Sequence, residues 1–163
     1  MNPTILLYIQ VGVFFILEAC LFSWYIWPKI KTLSFYSAAI PMLAVSVLRI
    51  SALNFINPYI AVNSPAAFAV PAAYGDLISA VIALIALIAV KKRNGAAVAL
   101  TWAYIIFGAL DLGYTFLLGL QYSLADHVGA FGLLISFQLP AVIIALIALI
   151  VVTLKNPKDK GVM

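Results

Sequence analysis

Long apolar stretches that lack a period of two recur along the chain. Two examples are AVIALIALIAV, which starts at Ala80, and AVIIALIALIVV, which starts at Ala141. A membrane β-strand would alternate apolar and polar residues, whereas a helix needs about 20 mainly apolar residues to cross a membrane. The pattern therefore predicts an all-α polytopic membrane protein, a five-transmembrane-helix bundle that forms a single transmembrane domain over 1–163. The predicted spans are 3–27, 35–57, 71–90, 96–119 and 130–154.

Composition agrees with this fold class and the basic residues add an orientation. The chain is 66% hydrophobic and 9% charged, which excludes an ordinary water-soluble domain. Basic residues follow spans one, three and five, while the connections 58–70 and 120–129 contain none. The positive-inside rule then predicts an N-terminus outside and a C-terminus in the cytoplasm, in the inner (cytoplasmic) membrane. The bilayer is the expected partner, and no nucleic-acid partner is predicted from the net charge of +4. The basic residues that define this end are Lys29, Lys31, Lys91, Lys92, Arg93, Lys155, Lys158 and Lys160.

Each predicted helix carries one polar side chain at a similar depth. Counting from the outer ends at about 1.5 Å per residue puts this layer roughly 8–12 Å below the outer surface. Polar and ionisable side chains at such a depth are costly and typical of functional sites. The layer consists of Gln10, Arg49, Asp76, Asp111 and Gln138.

Arg49 needs a partner, since it is the one basic residue away from the predicted cytoplasmic ends. Insertion scales charge about 2.5–3.5 kcal/mol for an arginine at a helix centre. Asp76 and Asp111 lie at matching depth, and one guanidinium can bind both. Two acids and one arginine leave a formal charge of −1, which a shared proton, a bound cation or a cationic ligand would neutralise. The alternative is a buried network that only fixes helix packing.

Further residues extend this candidate site in both directions. Glu18 is eight residues beyond Gln10, roughly 12 Å deeper and about 80° round the helix, and is a candidate inner station of a proton path. Its alternative is a protonated carboxyl bonded to a neighbouring carbonyl. Tyr74 and Tyr114 are candidate ligand contacts that would tune the charged centre together with the two glutamines.

The connection before Asp76 contains two prolines. Pro65 and Pro71 bracket the stretch AAFAV, which predicts a short ordered lid or re-entrant turn. Proline is common in the first turn of a helix, so span three is predicted to start at Pro71. Asp76 then lies one turn into the helix, where the helix dipole favours an acid.

The stretch R…SPAAFAVPAAYGD…W…FGALDLGYTFLLG, from Arg49 to Gly119, resembles a pattern of uncharacterised small bacterial integral membrane proteins. These carry an arginine, then P-A-x-F-A-x-P-A-x-x-G-D, then G-x-x-D-L and L-G. The resemblance covers spans two to four. The resemblance implies that Arg49, Asp76 and Asp111 form one group of residues. It implies no activity for this chain.

Motifs of cofactor and metal chemistry are absent from the sequence. It contains no glycine-rich phosphate loop, no H-E-x-x-H, no C-x-x-C and no G-x-S-x-G. A single cysteine, Cys20, excludes an internal disulfide and a cysteine-rich metal site. No cofactor and no metal site are predicted.

The polar layer favours an outward-facing pocket that binds a small polar or cationic ligand. Such a pocket would serve transport or sensing, coupled to a proton. One alternative is a membrane-embedded enzyme that acts on a lipid or another apolar substrate, with Asp76 and Asp111 as an acid/base pair. The other is a structural subunit of a membrane complex. The sequence leaves enzyme activity and homo-oligomerisation open.

Overall fold

The computed structural model describes residues 3–61, 64–123, 127 and 131–155. These residues contain helices and no strand, and five of the helical segments are long and apolar enough to cross a membrane. This confirms the all-α class and the number of apolar helices predicted above. The elements are α1 (Pro3–Leu21), a π-helix (Phe22–Ile26), α2 (Trp27–Ile30), α3 (Phe35–Val47), a 3-10 helix (Leu48–Ile56), α4 (Ala66–Lys91), α5 (Ala97–Gln121) and α6 (Phe131–Lys155).

Pro28 explains why the first span changes its winding near its end. Proline has no N–H, and in an α-helix its ring clashes with the carbonyl four residues earlier, here that of Trp24. The π-helix avoids this arrangement, and the N–H of Trp27 bonds to the carbonyl of Phe22, five residues back. The chain continues as a helix to Ile30. Span one therefore ends three residues later than predicted.

The second span tightens from α3 into a 3-10 helix that runs for nine residues. Such helices rarely exceed four residues, and side chains three positions apart eclipse one another. The buried residues of this segment follow that period, since they are Arg49, Ala52 and Phe55. The 3-10 winding therefore places the arginine in line with two core residues.

The prediction that span three starts at Pro71 after a lid or re-entrant turn is wrong. The stretch AAFAV is helical, because α4 begins at Ala66 with Pro65 as its N-cap and contains Pro71 inside the helix. Asp76 is consequently the eleventh residue of α4. The helix dipole acts mainly within the first turn, so it does not account for the position of this acid.

Small residues place α4 at the centre of the bundle. Its buried residues are mostly alanines, such as Ala72 and Ala83, which let α3, the 3-10 helix and α5 pack closely against it. Helix α6 packs against α3 and α1. Among the described side chains of α1, Leu7 is the one that is buried. The first helix is thus attached to the bundle mainly through α6.

Two cation–π contacts show that the basic turns meet at one end of the bundle. Lys155 Nζ lies 5.5 Å from the centre of the Trp27 ring, and the Arg93 guanidinium lies 5.8 Å from the Tyr36 ring centre. The first contact joins the ends of the fifth and first spans, and the second joins the end of the third span to the start of the second. Lys158 and Lys160 lie outside the described residues.

Candidate functional site

Arg49 brings the two predicted acids together. Its Nε donates to Asp76 Oδ1 at 2.5 Å, and its Nη2 donates to Asp111 Oδ2 at 2.5 Å. Its Nη1 donates to the Gly108 carbonyl at 3.2 Å. Arg49 is 2% exposed. A buried guanidinium is thereby bonded to α4 and α5 at once, and both carboxylates lie against the same planar group.

Glycines make this close approach sterically feasible. A Cβ on Gly75 would overlap the Asp111 carboxylate. A Cβ on Gly108 would lie 3.1 Å from Arg49 Nη1 and 3.2 Å from the Tyr104 ring. Each acid therefore comes with a glycine in its own sequence neighbourhood, in the motifs G-D and G-x-x-D. We name Arg49, Asp76 and Asp111 the Arg49 centre.

Asp111 is held more completely than Asp76. Ser79 Oγ donates to Asp111 Oδ2 at 3.2 Å, in addition to the bond from Arg49. The Asp111 side chain is 8% exposed, whereas that of Asp76 is 17% exposed. The two acids consequently face different surroundings although they share one arginine.

Gln138 fixes the 3-10 helix from the opposite side. Its Nε2 donates to the Leu48 carbonyl at 2.7 Å, and Ser51 Oγ donates to its Oε1 at 2.5 Å. Leu48 and Ser51 flank Arg49 in sequence, so Gln138 positions the backbone that carries the arginine. The structure thereby connects four of the predicted site helices through named hydrogen bonds.

Gln10 lies near this level but outside the Arg49 centre. Its Oε1 is 3.5 Å from Ser136 Oγ, at the long limit for a hydrogen bond. The same serine hydroxyl donates to the Gly132 carbonyl at 2.7 Å, which is the better bond. The structure therefore places Gln10 against α6 and not against the charged residues.

Three other predicted site residues also lie away from the centre. Tyr74 and Tyr114 are each more than half exposed on the outside of the bundle. Glu18 has both carboxylate oxygens buried, and they find no hydrogen-bond partner among the described residues. The described residues therefore offer no hydrogen bond that would support either the bond to a carbonyl or the proton path predicted for Glu18.

A cavity of about 170 Å³ adjoins the Arg49 centre. All five spans contribute to its wall, and most of its lining is apolar. Hydrogen bonds hold Arg49, Asp76 and Gln138 at one level of the lining. The phenylalanines Phe55, Phe68 and Phe131 line the cavity at another level. The polar lining residues are Tyr8, Arg49, Ser51, Asp76, Thr115 and Gln138.

Asp76 is the acid that reaches this cavity. Asp76 lines it and Asp111 does not. Thr115, also in the lining, has a buried hydroxyl with no hydrogen-bond partner in the described part of the chain. Within the same residues, no group of three or more His, Cys, Asp and Glu side chains is suited to hold a metal ion. The available chemistry is an anionic acceptor beside an apolar chamber.

A family match covers nearly the whole of this architecture. The model of a domain of unknown function (DUF8737) matches residues 6–154. The chain belongs to this family. The DUF8737 region includes the Arg49 centre and every residue named above in the cavity lining. No curated protein and no solved structure matches the chain.

Sequence reasoning missed Ser51 and the phenylalanines of the cavity. The phenylalanine cluster looks like ordinary lipid-facing sequence, because its members are far apart along the chain. A signal existed for part of it: Arg49, Ala52 and Phe55 recur every three residues, the period of a 3-10 helix. That period, and not the α-helical one, assigns Phe55 to the face of the arginine.

Proposed function

We propose that this DUF8737 protein is a multi-pass inner-membrane protein that binds a small molecule carrying a cationic group in the cavity beside the Arg49 centre. The N-terminus would lie outside and the C-terminus in the cytoplasm. The clustering of Lys155 and Arg93 with the aromatic residues at one end of the bundle supports this orientation, by the positive-inside rule. The cavity would then lie in the outer half of the membrane.

The observation that carries the proposal is the unequal placement of the two acids. Arg49 offsets one negative charge, and a second remains formally uncompensated. In a medium of low dielectric constant such a charge attracts a proton or a cation strongly. Asp76 lines the cavity, so a cation in the cavity would meet this acid first. Ser51 and Gln138, also in the lining, would provide hydrogen bonds to the ligand.

The competing proposal is a structural subunit in which the Arg49 centre only holds helices together. The pairing of Arg49 with both acids favours this role. The guanidinium bonds to three groups on two helices, which is what a packing device would do. A packing device, however, needs no cavity. Comparison of Asp76 with Asp111 separates the two roles, because both acids bond to Arg49 and only Asp76 of the two lines the chamber.

The test is native mass spectrometry of the protein released from lipid nanodiscs, comparing wild type with Asp76→Asn and Asp111→Asn. Each asparagine keeps the shape of its acid and an acceptor for Arg49. We expect a co-purified adduct on wild type that is lost from Asp76→Asn and retained by Asp111→Asn. Absence of any adduct, with both variants less stable to heat than wild type, would favour the structural role.

A further inference from the structure

The cavity is closed at its far end by aromatic side chains. The Phe55 ring centre lies 5.1 Å from that of Phe68 and 4.9 Å from that of Phe131, both in edge-to-face geometry. All three residues are at most 7% exposed. They come from the 3-10 helix, α4 and α6, and edge-to-face packing of this kind is favourable. A path along the bundle axis from this end of the chamber would have to pass through this cluster.

The side of the cavity between α1 and α5 is built differently. Both helices line the cavity, yet α1 packs on α6, and its packing against α5 is slight within the described residues. Tyr8 on α1 and Phe116 and Leu120 on α5 line the cavity and are each at least half exposed. A residue with one face in a cavity and the other on the outer surface forms the rim of an opening. The rim therefore lies on the lateral surface of the bundle.

The charged groups and the phenylalanines of the chamber lie at different levels along the bundle. The chamber lining on α6 extends from Phe131 to Val142, a rise of about 16 Å along the helix axis. Gln138, which bonds to residues on either side of the arginine, marks the level of Arg49 and Asp76 on α6. This level is seven residues, or about 10 Å, from Phe131, and the lining continues past it to Val142. This shape fits a molecule with an apolar chain and one polar head better than a compact polar ion.

From these features we infer that the ligand is a membrane-dissolved amphipath with a cationic head and an apolar chain, which reaches the cavity sideways between α1 and α5. The inference rests on the proposed function and adds the ligand class and its route. The head bonds to Asp76 and the chain lies along the apolar wall toward Phe131. In a bilayer, the lateral rim faces hydrocarbon, where such molecules are concentrated.

Three probes that differ in one feature at a time test the ligand class. They are dodecylamine (cationic head, long chain), dodecanoate (anionic head, same chain) and butylamine (cationic head, short chain). Binding to the protein in nanodiscs is followed by native mass spectrometry. We expect one saturable dodecylamine per chain and a loss of about tenfold or more in affinity on Asp76→Asn, because a charge-assisted bond is removed.

The other outcomes separate the inference from the proposed function. Equal Asp76-dependent binding of butylamine would overturn the long-chain ligand and leave the cationic-ligand function standing. Dodecanoate bound as well as dodecylamine would assign the head group to Arg49 and overturn the cationic head. Failure of all three probes on wild type would overturn both proposals.

Two matched tryptophan variants test the lateral route. Leu120→Trp narrows the rim, and Leu117→Trp places the same side chain on α5 at a position that is exposed and does not line the cavity. We expect dodecylamine adducts to form more slowly on Leu120→Trp than on wild type, and at the wild-type rate on Leu117→Trp. Equal rates for the two variants would overturn the route between α1 and α5.

Discussion

Helices α4 and α1 are both apolar enough to cross a membrane and both carry an acid, yet they are used in opposite ways. Helix α4 is buried along an alanine-rich face and presents Asp76 to Arg49. Helix α1 is mostly exposed and carries Glu18, whose carboxylate has no hydrogen-bond partner among the described residues. Hydropathy alone does not separate these helices. The distribution of small residues does, because small residues permit close helix contacts.

The largest expected effect comes from removing the counter-charge of α4. Arg49→Met keeps an unbranched side chain of similar length and leaves Asp76 and Asp111 side by side without their cation. Breaking a buried ion pair by removing one partner costs about 3–5 kcal/mol. We expect a large fall in the thermal midpoint of the detergent-solubilised protein, measured by size-exclusion chromatography after heating.

Two matched variants define that effect. Lys92→Met removes an exposed charge at the basic end and is expected to change stability by about 0.5 kcal/mol or less. The triple variant Arg49→Met, Asp76→Asn and Asp111→Asn removes the charges together and should recover part of the loss. An Arg49→Met protein as stable as wild type would contradict the view that the ion pairs hold α4 in the bundle.

A medium effect is expected where α4 and α5 touch through Gly75. Alanine at this position places a methyl group on the Asp111 carboxylate, and overpacking of this kind costs about 1–3 kcal/mol. Gly113→Ala is the matched change on α5, because its Cβ would meet nothing within 4 Å. A glycine in a helix interior is about 0.5–1 kcal/mol worse than alanine, so this control should be neutral or stabilising.

Thermal midpoints of the two alanine variants, compared in the same detergent, give the sign of each effect. Equal midpoints for Gly75→Ala and Gly113→Ala would mean that α4 and α5 are not in contact at the acids. A lower midpoint for Gly75→Ala alone would locate the close approach at the Arg49 centre, where the G-D motif places it.

The association of the charged residues was predictable from the sequence for a simple energetic reason. An arginine at membrane depth needs an acid at the same depth, and the chain offers Asp76 and Asp111. The start of α4 was not predictable in this way. Pro71 is compatible with a first helical turn, but inside a bundle neighbouring helices can also satisfy the carbonyl that a mid-helix proline frees.

The cavity shows a second limit of sequence reasoning. Three of its polar lining residues, Arg49, Asp76 and Gln138, belong to the predicted layer, because counting residues from span ends gives a depth for each side chain. Its apolar length and lateral rim depend on which helices fail to touch, and that is a property of three-dimensional packing. Phe116 and Leu117 are adjacent apolar residues in the sequence, yet one lines the cavity and the other does not.

The smallest expected effect concerns the acid of α1. Glu18→Gln keeps the size of the side chain and removes its ability to ionise. Because Glu18 makes no hydrogen bond within the described residues, the substitution breaks none. We expect the thermal midpoint to change by an amount equivalent to about 0.5 kcal/mol or less, as for substitutions away from specific interactions.

Asp76→Asn is the matched isosteric change on α4. Comparing its thermal midpoint with that of Glu18→Gln measures how differently the two helices depend on their acids. Asp76→Asn weakens a charge-assisted bond to a buried arginine, which is worth more than a neutral one. Glu18→Leu extends the test, since an apolar side chain removes a buried polar group that has no partner and should hold or raise the midpoint. A clear loss of stability in both Glu18 variants would mean that the Glu18 carboxyl makes a stabilising polar contact. Both acids would then stabilise the bundle, contrary to the comparison of α4 with α1.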